Sequence, residues 1–169
     1  FWICVPIKRK YRFMAWDKAC DWFLVGKIIR YLGAFPVSLK RGGNKKAMQE
    51  SLKCLRKGAT LIIFPEGSRG FSDGKLLEFK TGAVRIAIEA EVPILPVTIR
   101  GANKVWSQDI KYPKLGKVEI YFHPIFEIPQ NTQNLSEHEF TAMLNEQIKD
   151  IIESKLLIVN SKTYFTNHS

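Results

Sequence analysis

The residues of this chain best suited to chemistry stand close together in Phe64-Pro65-Glu66-Gly67-Ser68-Arg69, with Lys80 following. Arg presents a planar fork of N–H donors that meets phosphate oxygens two at a time, and Lys adds a compact positive charge. Gly67 permits a tight turn with close backbone approach, and Pro65 ends hydrogen bonding along a strand. Ahead of it, Leu61-Ile62-Ile63-Phe64 reads as a buried strand. The charged residues thus fall at the carboxyl end of a strand, where α/β sheets place their ligand sites. Leu76 to Gly82 reads as the opening of a helix, and a helix N-terminus flanked by Arg and Lys suits a phosphate. Taken singly, Glu66 and Arg69 read equally well as solvated turn charges.

Other segments join this pattern. Phe79-Lys80-Thr81-Gly82 follows it, then Val92-Pro93-Ile94-Leu95-Pro96-Val97. Ahead of it stand Leu32-Gly33-Ala34-Phe35-Pro36-Val37 and Arg41-Gly42-Gly43. Over roughly residues 32–97 these resemble four blocks of the glycerolipid acyltransferases, the 1-acyl-glycerol-3-phosphate acyltransferases among them: G-x-F/I-P-V…R, FPEGT/S-R, F-K-x-G and V-P-I/V-x-P-V. The resemblance implies transfer of a fatty acyl group from acyl-CoA or acyl carrier protein to the sn-2 hydroxyl of 1-acyl-glycerol 3-phosphate, giving phosphatidic acid. It further implies Arg69 and Lys80 on the acceptor phosphate, with Lys40 or Arg41 as a further cation. Glu66 and Gly67 would organise the turn in support of catalysis, and Phe64, Pro65 and Ser68 would complete the substrate-binding block. No cofactor and no metal are implied. Another lysophospholipid, glycerol 3-phosphate or a glycolipid precursor would also fit as acceptor. From a different class, a non-catalytic phospholipid-binding module would fit the same residues.

The family's signature opens with N-H-x-x-x-x-D, whose His is the base and whose Asp orients it. The three histidines here, His123, His138 and His168, all follow the FPEG block, and none begins such a spacing. They read as surface or packing residues. The catalytic pair is therefore expected upstream of Phe1, in an acyltransferase domain truncated at its N-terminus that covers residues 1–160, with 161–169 a flexible tail. Residues 1–169 by themselves are then expected to be inactive.

Composition sets wider bounds. At 169 residues, 46% apolar and 25% charged, the chain has the make-up of a globular domain with its own core. Its longest purely aliphatic or aromatic runs are four residues, such as Trp22-Phe23-Leu24-Val25, against the ~18–20 apolar residues needed to span a bilayer. Cys4, Cys20 and Cys54 lack metal-ligand spacing and read as buried thiols in a reducing compartment. Neither a dinucleotide-binding nor a P-loop glycine pattern is present. The net charge of +10 is uneven, with 18 Lys and Arg against 6 Asp and Glu in residues 1–85. A basic half favours an anionic partner. The run Lys8-Arg9-Lys10-Tyr11-Arg12-Phe13 could stack on nucleic-acid bases, but no accompanying motif supports that, and an anionic membrane surface suits it as well as bulk solvent does. The expected setting is the cytoplasmic side of a membrane, the protein being peripheral or anchored through residues before Phe1.

The elements that must position these residues follow from periodicity. Strands are expected at residues 11–16, 35–39, 61–64, 94–99 and 118–122. Helices are expected from Asp17 to about Tyr31, from Asn44 to Lys57 with Gly58 as C-cap, over 83–90, and from Ser136 onward. Ser136 with Glu139 spells a capping box for the last helix, built on Phe140, Met143, Leu144, Ile148, Ile151 and Ile152. Pro96 calls for an edge, a bulge or a strand end. The alternation predicts a single α/β domain with a mixed, mostly parallel sheet and helices on both faces, and the resemblance implies that this fold is glycerol-3-phosphate acyltransferase-like.

Overall fold

The computed structural model describes residues 10–16, 33–37, 43–130 and 134–156. Lys40, Arg41, the helix expected from Asp17, Cys4, Cys20 and the tail lie outside them. Two compact units divide the chain, Phe1–Phe64 and Pro65–Ser169.

In the first unit, β1 (Tyr11–Trp16) pairs in parallel with both β2 (Ala34–Val37) and β3 (Thr60–Ile62), in the order β2-β1-β3. The register sets Met14 beside Phe35 and Arg12 beside Leu61. Pro36 sits in β2, an outer strand of this sheet, where a missing N–H costs least. Helix α1 (Gly43–Arg56) connects β2 to β3 and buries Ala47, Ser51, Leu52 and Cys54. The Ser51 hydroxyl donates to the Ala47 carbonyl at 2.7 Å, so its burial leaves no polar group orphaned. Gly58, at φ +73°, closes the helix by donating to Leu55 O, as expected of a C-cap.

The expected strand over 61–64 is shorter and less buried than its aliphatic run suggests. It ends at Ile62, its residues are half-buried, and Phe64 is 56% exposed. β3 pairs with β1 alone among the described strands, and Pro65 follows too soon for a longer ladder.

The second unit is built on α2 (Gly82–Ala90), β4 (Val97–Arg100), α3 (Ala102–Trp106), β5 (Glu119–Phe122) and α4 (Glu137–Leu156). Strands β4 and β5 pair antiparallel, Thr98 opposite Tyr121, so the expected mixture of parallel and antiparallel pairing is divided between two sheets. β4 begins directly after Pro96, as that residue requires, and Ile94 forms only an isolated bridge with Phe126. The core gathers Val84, Phe140, Leu144 and Ile148, with Ile88, Ile94, Phe126 and Met143 packed around them. On α2 the face carrying Ala83, Ile86, Ala87 and Ala90 turns inward, with Ile86 and Ala87 buried, and Val84, 1% exposed, and Ile88 widen it toward the core.

The capping box of α4 forms as read. Ser136 N–H donates to Glu139 Oε2 at 3.0 Å while Glu139 N–H donates to Ser136 Oγ at 3.3 Å. Farther along, the Thr98 hydroxyl donates to the Ile152 carbonyl at 2.7 Å and lies 2.8 Å from His123 Nε2, making His123 a packing residue. Helix α3 was not foreseen, because five residues after a glycine give no readable period. Among the described residues no helix is long and apolar enough to cross a membrane.

Candidate functional site

The Pro65–Gly82 segment is held by its own backbone. Gly67 takes φ +70°, a conformation most side chains avoid. The Glu66 carboxylate accepts the Leu77 N–H at 2.9 Å, and the Pro65 carbonyl accepts the Lys80 N–H at 2.9 Å. The second bond bears on why no helix opens at Leu76: the Lys80 N–H, which such a helix would give to the Leu76 carbonyl, is already committed to Pro65. Helix α2 starts only at Gly82, and its Thr81 N-cap makes no side-chain capping bond.

Folding 77–80 back in this way brings Lys80 to the turn. A Cβ placed on Gly67 would lie 2.7 Å from Lys80 Nζ and 3.0 Å from its Cε, so the lysine stem runs across the glycine. The Glu66 carboxylate lies within 3.9 Å of a Cβ placed on Gly70, on the inside of the same loop. Lys80 is anchored from behind as well. Phe79 is 6% exposed, and its carbonyl accepts from Asn145 Nδ2 of α4 at 3.1 Å.

Ser68 and Arg69 are braced from the segment between β4 and β5. The Gln108 amide donates to the Arg69 carbonyl and reaches Ser68 Oγ at 3.4 Å, while its backbone N–H donates to Gly70 O at 3.0 Å. The Arg69 guanidinium stacks 4.5 Å above the Trp106 ring. Stacking occupies the face of the guanidinium and leaves its N–H donors, which lie in the plane, able to meet an anion. Beyond Arg69, Asn103 Nδ2 donates to Ser72 O at 2.8 Å, and Asp109 accepts from both the Ser72 N–H and its hydroxyl. Asp109 is held down at about 2, first by the Ser107 hydroxyl and then by Ser72. Ser107 Oγ is buried and has no formed hydrogen bond among the described residues, whereas Ser72 makes one to Asp109.

The structure thus joins Pro65, Glu66, Gly67 and Lys80 in one turn and sets Ser68 and Arg69 on a second brace of the same segment. Phe64 stands apart as an exposed residue before it. Sequence reasoning missed Trp106, Gln108, Asp109 and Asn145. Of these only Asn145 left a signal, as an amide among the apolar positions of an amphipathic helix, where burial demands a partner. A turn with two cations, a hydroxyl and a backbone fixed by a left-handed glycine can hold a phosphate-bearing ligand.

A family model described as acyltransferase matches residues 1–100. The chain is similar to 1-acyl-sn-glycerol-3-phosphate acyltransferases of Borreliella burgdorferi, 31% identical over 62% of this chain and 41% of the relative, and Pseudomonas aeruginosa, 33% identical over 53% and 35%. It therefore spans less than half the length of these curated relatives. The crystal structure of the 1-acyl-sn-glycerophosphate (LPA) acyltransferase from Thermotoga maritima superposes with a TM-score of 0.69 and 28% identity, covering 89% of this chain and 57% of that one. The fold is accordingly the α/β fold of that enzyme, and with more than half its residues matched by the family model the chain belongs to the acyltransferase family.

Proposed function

We propose that this chain is the acceptor-binding part of an acyltransferase that moves a fatty acyl group from a thioester, acyl-CoA or acyl carrier protein, to the sn-2 hydroxyl of 1-acyl-glycerol 3-phosphate. The names and identities of its relatives support this reading, and one observation carries it. The Pro65–Arg69 segment and Lys80 form a self-pinned turn in which a lysine crosses Gly67 and an arginine is stacked on Trp106. In such a reaction the acceptor hydroxyl attacks the thioester carbonyl, a base takes its proton, and the thiol leaves. Arg69 and Lys80 would fix the acceptor through its phosphate, Glu66 would keep the turn closed, and no bond to the protein need form. The base belongs to the H-x-x-x-x-D block, which is not among the 169 residues. Membrane association through the basic residues near Lys10 and Arg12 is part of the same proposal.

Binding tests the acceptor assignment without turnover. Calorimetry with a short-chain, water-soluble 1-acyl-glycerol 3-phosphate and with its phosphate-free monoacylglycerol should show tighter binding of the phosphate form. Arg69→Ala should lose roughly 30- to 1000-fold of that preference, as for a charge-assisted bidentate contact worth about 2–4 kcal/mol. Arg69→Lys should recover only part. Equal affinity for both ligands, or an unchanged preference in Arg69→Ala, would remove the turn from acceptor recognition.

A further inference from the structure

Between β4 and β5 the chain leaves the sheet at Arg100 and returns at Glu119, two residues that face each other across the ladder. Gly101, at φ +82°, closes the neck of this excursion, since a Cβ there would collide with the Lys117 carbonyl. Its two sides do different things. The inner side, Asn103, Trp106, Gln108 and Asp109, braces the 68–72 segment. The outer side is a tip of eight consecutive exposed residues, 111–118.

That tip carries large apolar side chains that are exposed among the described residues: Tyr112 is 70% exposed, Leu115 105% and Val118 39%. It is nonetheless a built loop, because Lys114 N–H donates to Val105 O at 2.8 Å and Gly116 packs so close to Val105 that a Cβ would lie 2.9 Å from its Cγ2. The charge is of one sign. Lys104, Lys111, Lys114 and Lys117 interleave with the apolar residues, and Asp109, the one acid between Lys104 and Val118, is committed to Ser72. Glu119 engages Lys117 at 2.8 Å, and Lys111 Nζ lies 5.4 Å from the Tyr112 ring centre. Apolar and aromatic side chains at a tip, ringed by lysines, fit a surface that is apolar within and anionic at its rim.

We propose that the 111–118 tip is a docking surface for an anionic lipid leaflet, with Tyr112 and Leu115 entering the interface and Lys104, Lys111 and Lys114 meeting lipid phosphates. Because the same excursion braces Arg69 from its inner side, docking would set the phosphate-binding turn beside the surface that holds its lipid. The proposal places membrane contact in a segment separate from the basic residues near Lys10, and does not depend on acyl transfer.

The test is co-sedimentation of the 169-residue protein with phosphatidylcholine vesicles, with and without phosphatidylglycerol, combined with amide hydrogen exchange. The wild type should prefer anionic vesicles, and amides of residues 111–118 should exchange more slowly when bound. Lys111→Gln with Lys114→Gln should weaken anionic binding on the order of 25-fold, about fivefold per lysine near such a leaflet. Tyr112→Ser with Leu115→Ser should weaken it on the order of tenfold or more and leave the fold intact by circular dichroism, as both side chains face solvent. Neither pair touches the turn, so phosphate-dependent ligand binding should stay at the wild-type level in both. Wild-type vesicle binding by both variants, or no slowed exchange at the tip, would overturn the proposal. So would a vesicle-free dimer that Leu115→Ser dissociates, which would show that the tip meets a second copy instead.

Discussion

Helix α4 and the Pro65–Gly82 turn lie in the same unit, yet they are stabilised in different ways. The helix buries Phe140, Leu144 and Ile148 against Val84 and Ile88, a contiguous apolar contact in which many small attractions add. The turn buries little and is fixed by single bonds: Leu77 N–H to Glu66, Lys80 N–H to Pro65 O, Asn145 to Phe79 O, Gln108 to Arg69 O. An apolar face tolerates changes of detail while its volume is kept. A set of point contacts specifies position but contributes little to global stability. The contrast suits a site whose side chains must be placed accurately on a scaffold that something else keeps folded.

The largest effect that would sharpen this contrast is Leu144→Ala. Leu144 is 0% exposed, so its truncation should cost about 2–5 kcal/mol of unfolding free energy, read by urea denaturation. A loss under about 1 kcal/mol would mean that α4 is not the stabilising element it is taken to be here.

Asn145→Ala probes the bond between the two regions. It leaves the Phe79 carbonyl unpaired beside a buried phenyl ring, and should cost about 1–3 kcal/mol. It should also quicken amide exchange at Lys80. Slower or unchanged exchange at Lys80 would show that the lysine is held by the turn alone.

Gln108→Ala acts on the turn by itself. Global stability should shift by less than about 1 kcal/mol, while limited proteolysis near Arg69 and Gly70 should accelerate. An effect as large as that of Leu144→Ala would erase the distinction between scaffold and site.

The smallest expected effect is one of pH. The Asp109 carboxyl is lowered from 3.8 to about 2, so the stability it contributes is fully present above about pH 4 and is lost as pH falls toward 2. Protection of the Ser72 N–H, taken relative to its intrinsic exchange rate, should fall across that window in the wild type and be low throughout in Asp109→Ala. A Ser72 amide that stays protected at pH 2 would show that Asn103 alone secures the loop.

The same contrast explains which parts were legible in the sequence. Apolar periodicity announced α1, α2 and α4, and Ser136 with Glu139 announced an N-terminus whose bonds then formed. Pro96 marked where β4 could begin. The misreadings occur where one long-range bond outweighs local pattern: Leu76 to Lys80 looks helical until the Pro65 carbonyl takes the Lys80 N–H. Phe64 looks buried until the strand ends two residues early. Within the candidate site, Glu66, Gly67, Arg69 and Lys80 were legible as a motif. Their braces, Trp106 and Gln108, lie about forty residues away on an unpatterned loop and could not be seen from the chain alone.

The Thr98 hydroxyl has a single proton, and it goes to the Ile152 carbonyl. His123 must therefore be the donor in its contact with Thr98, which fixes the neutral imidazole in the Nε2–H tautomer. Burial, and then Lys155, lowers the pKa of that ring, so it stays neutral through most of the physiological range. A ring locked in one tautomer is a natural spectroscopic reporter. Its nitrogen-15 signals would register whether the far end of α4 is seated on β4, with no label added to the protein.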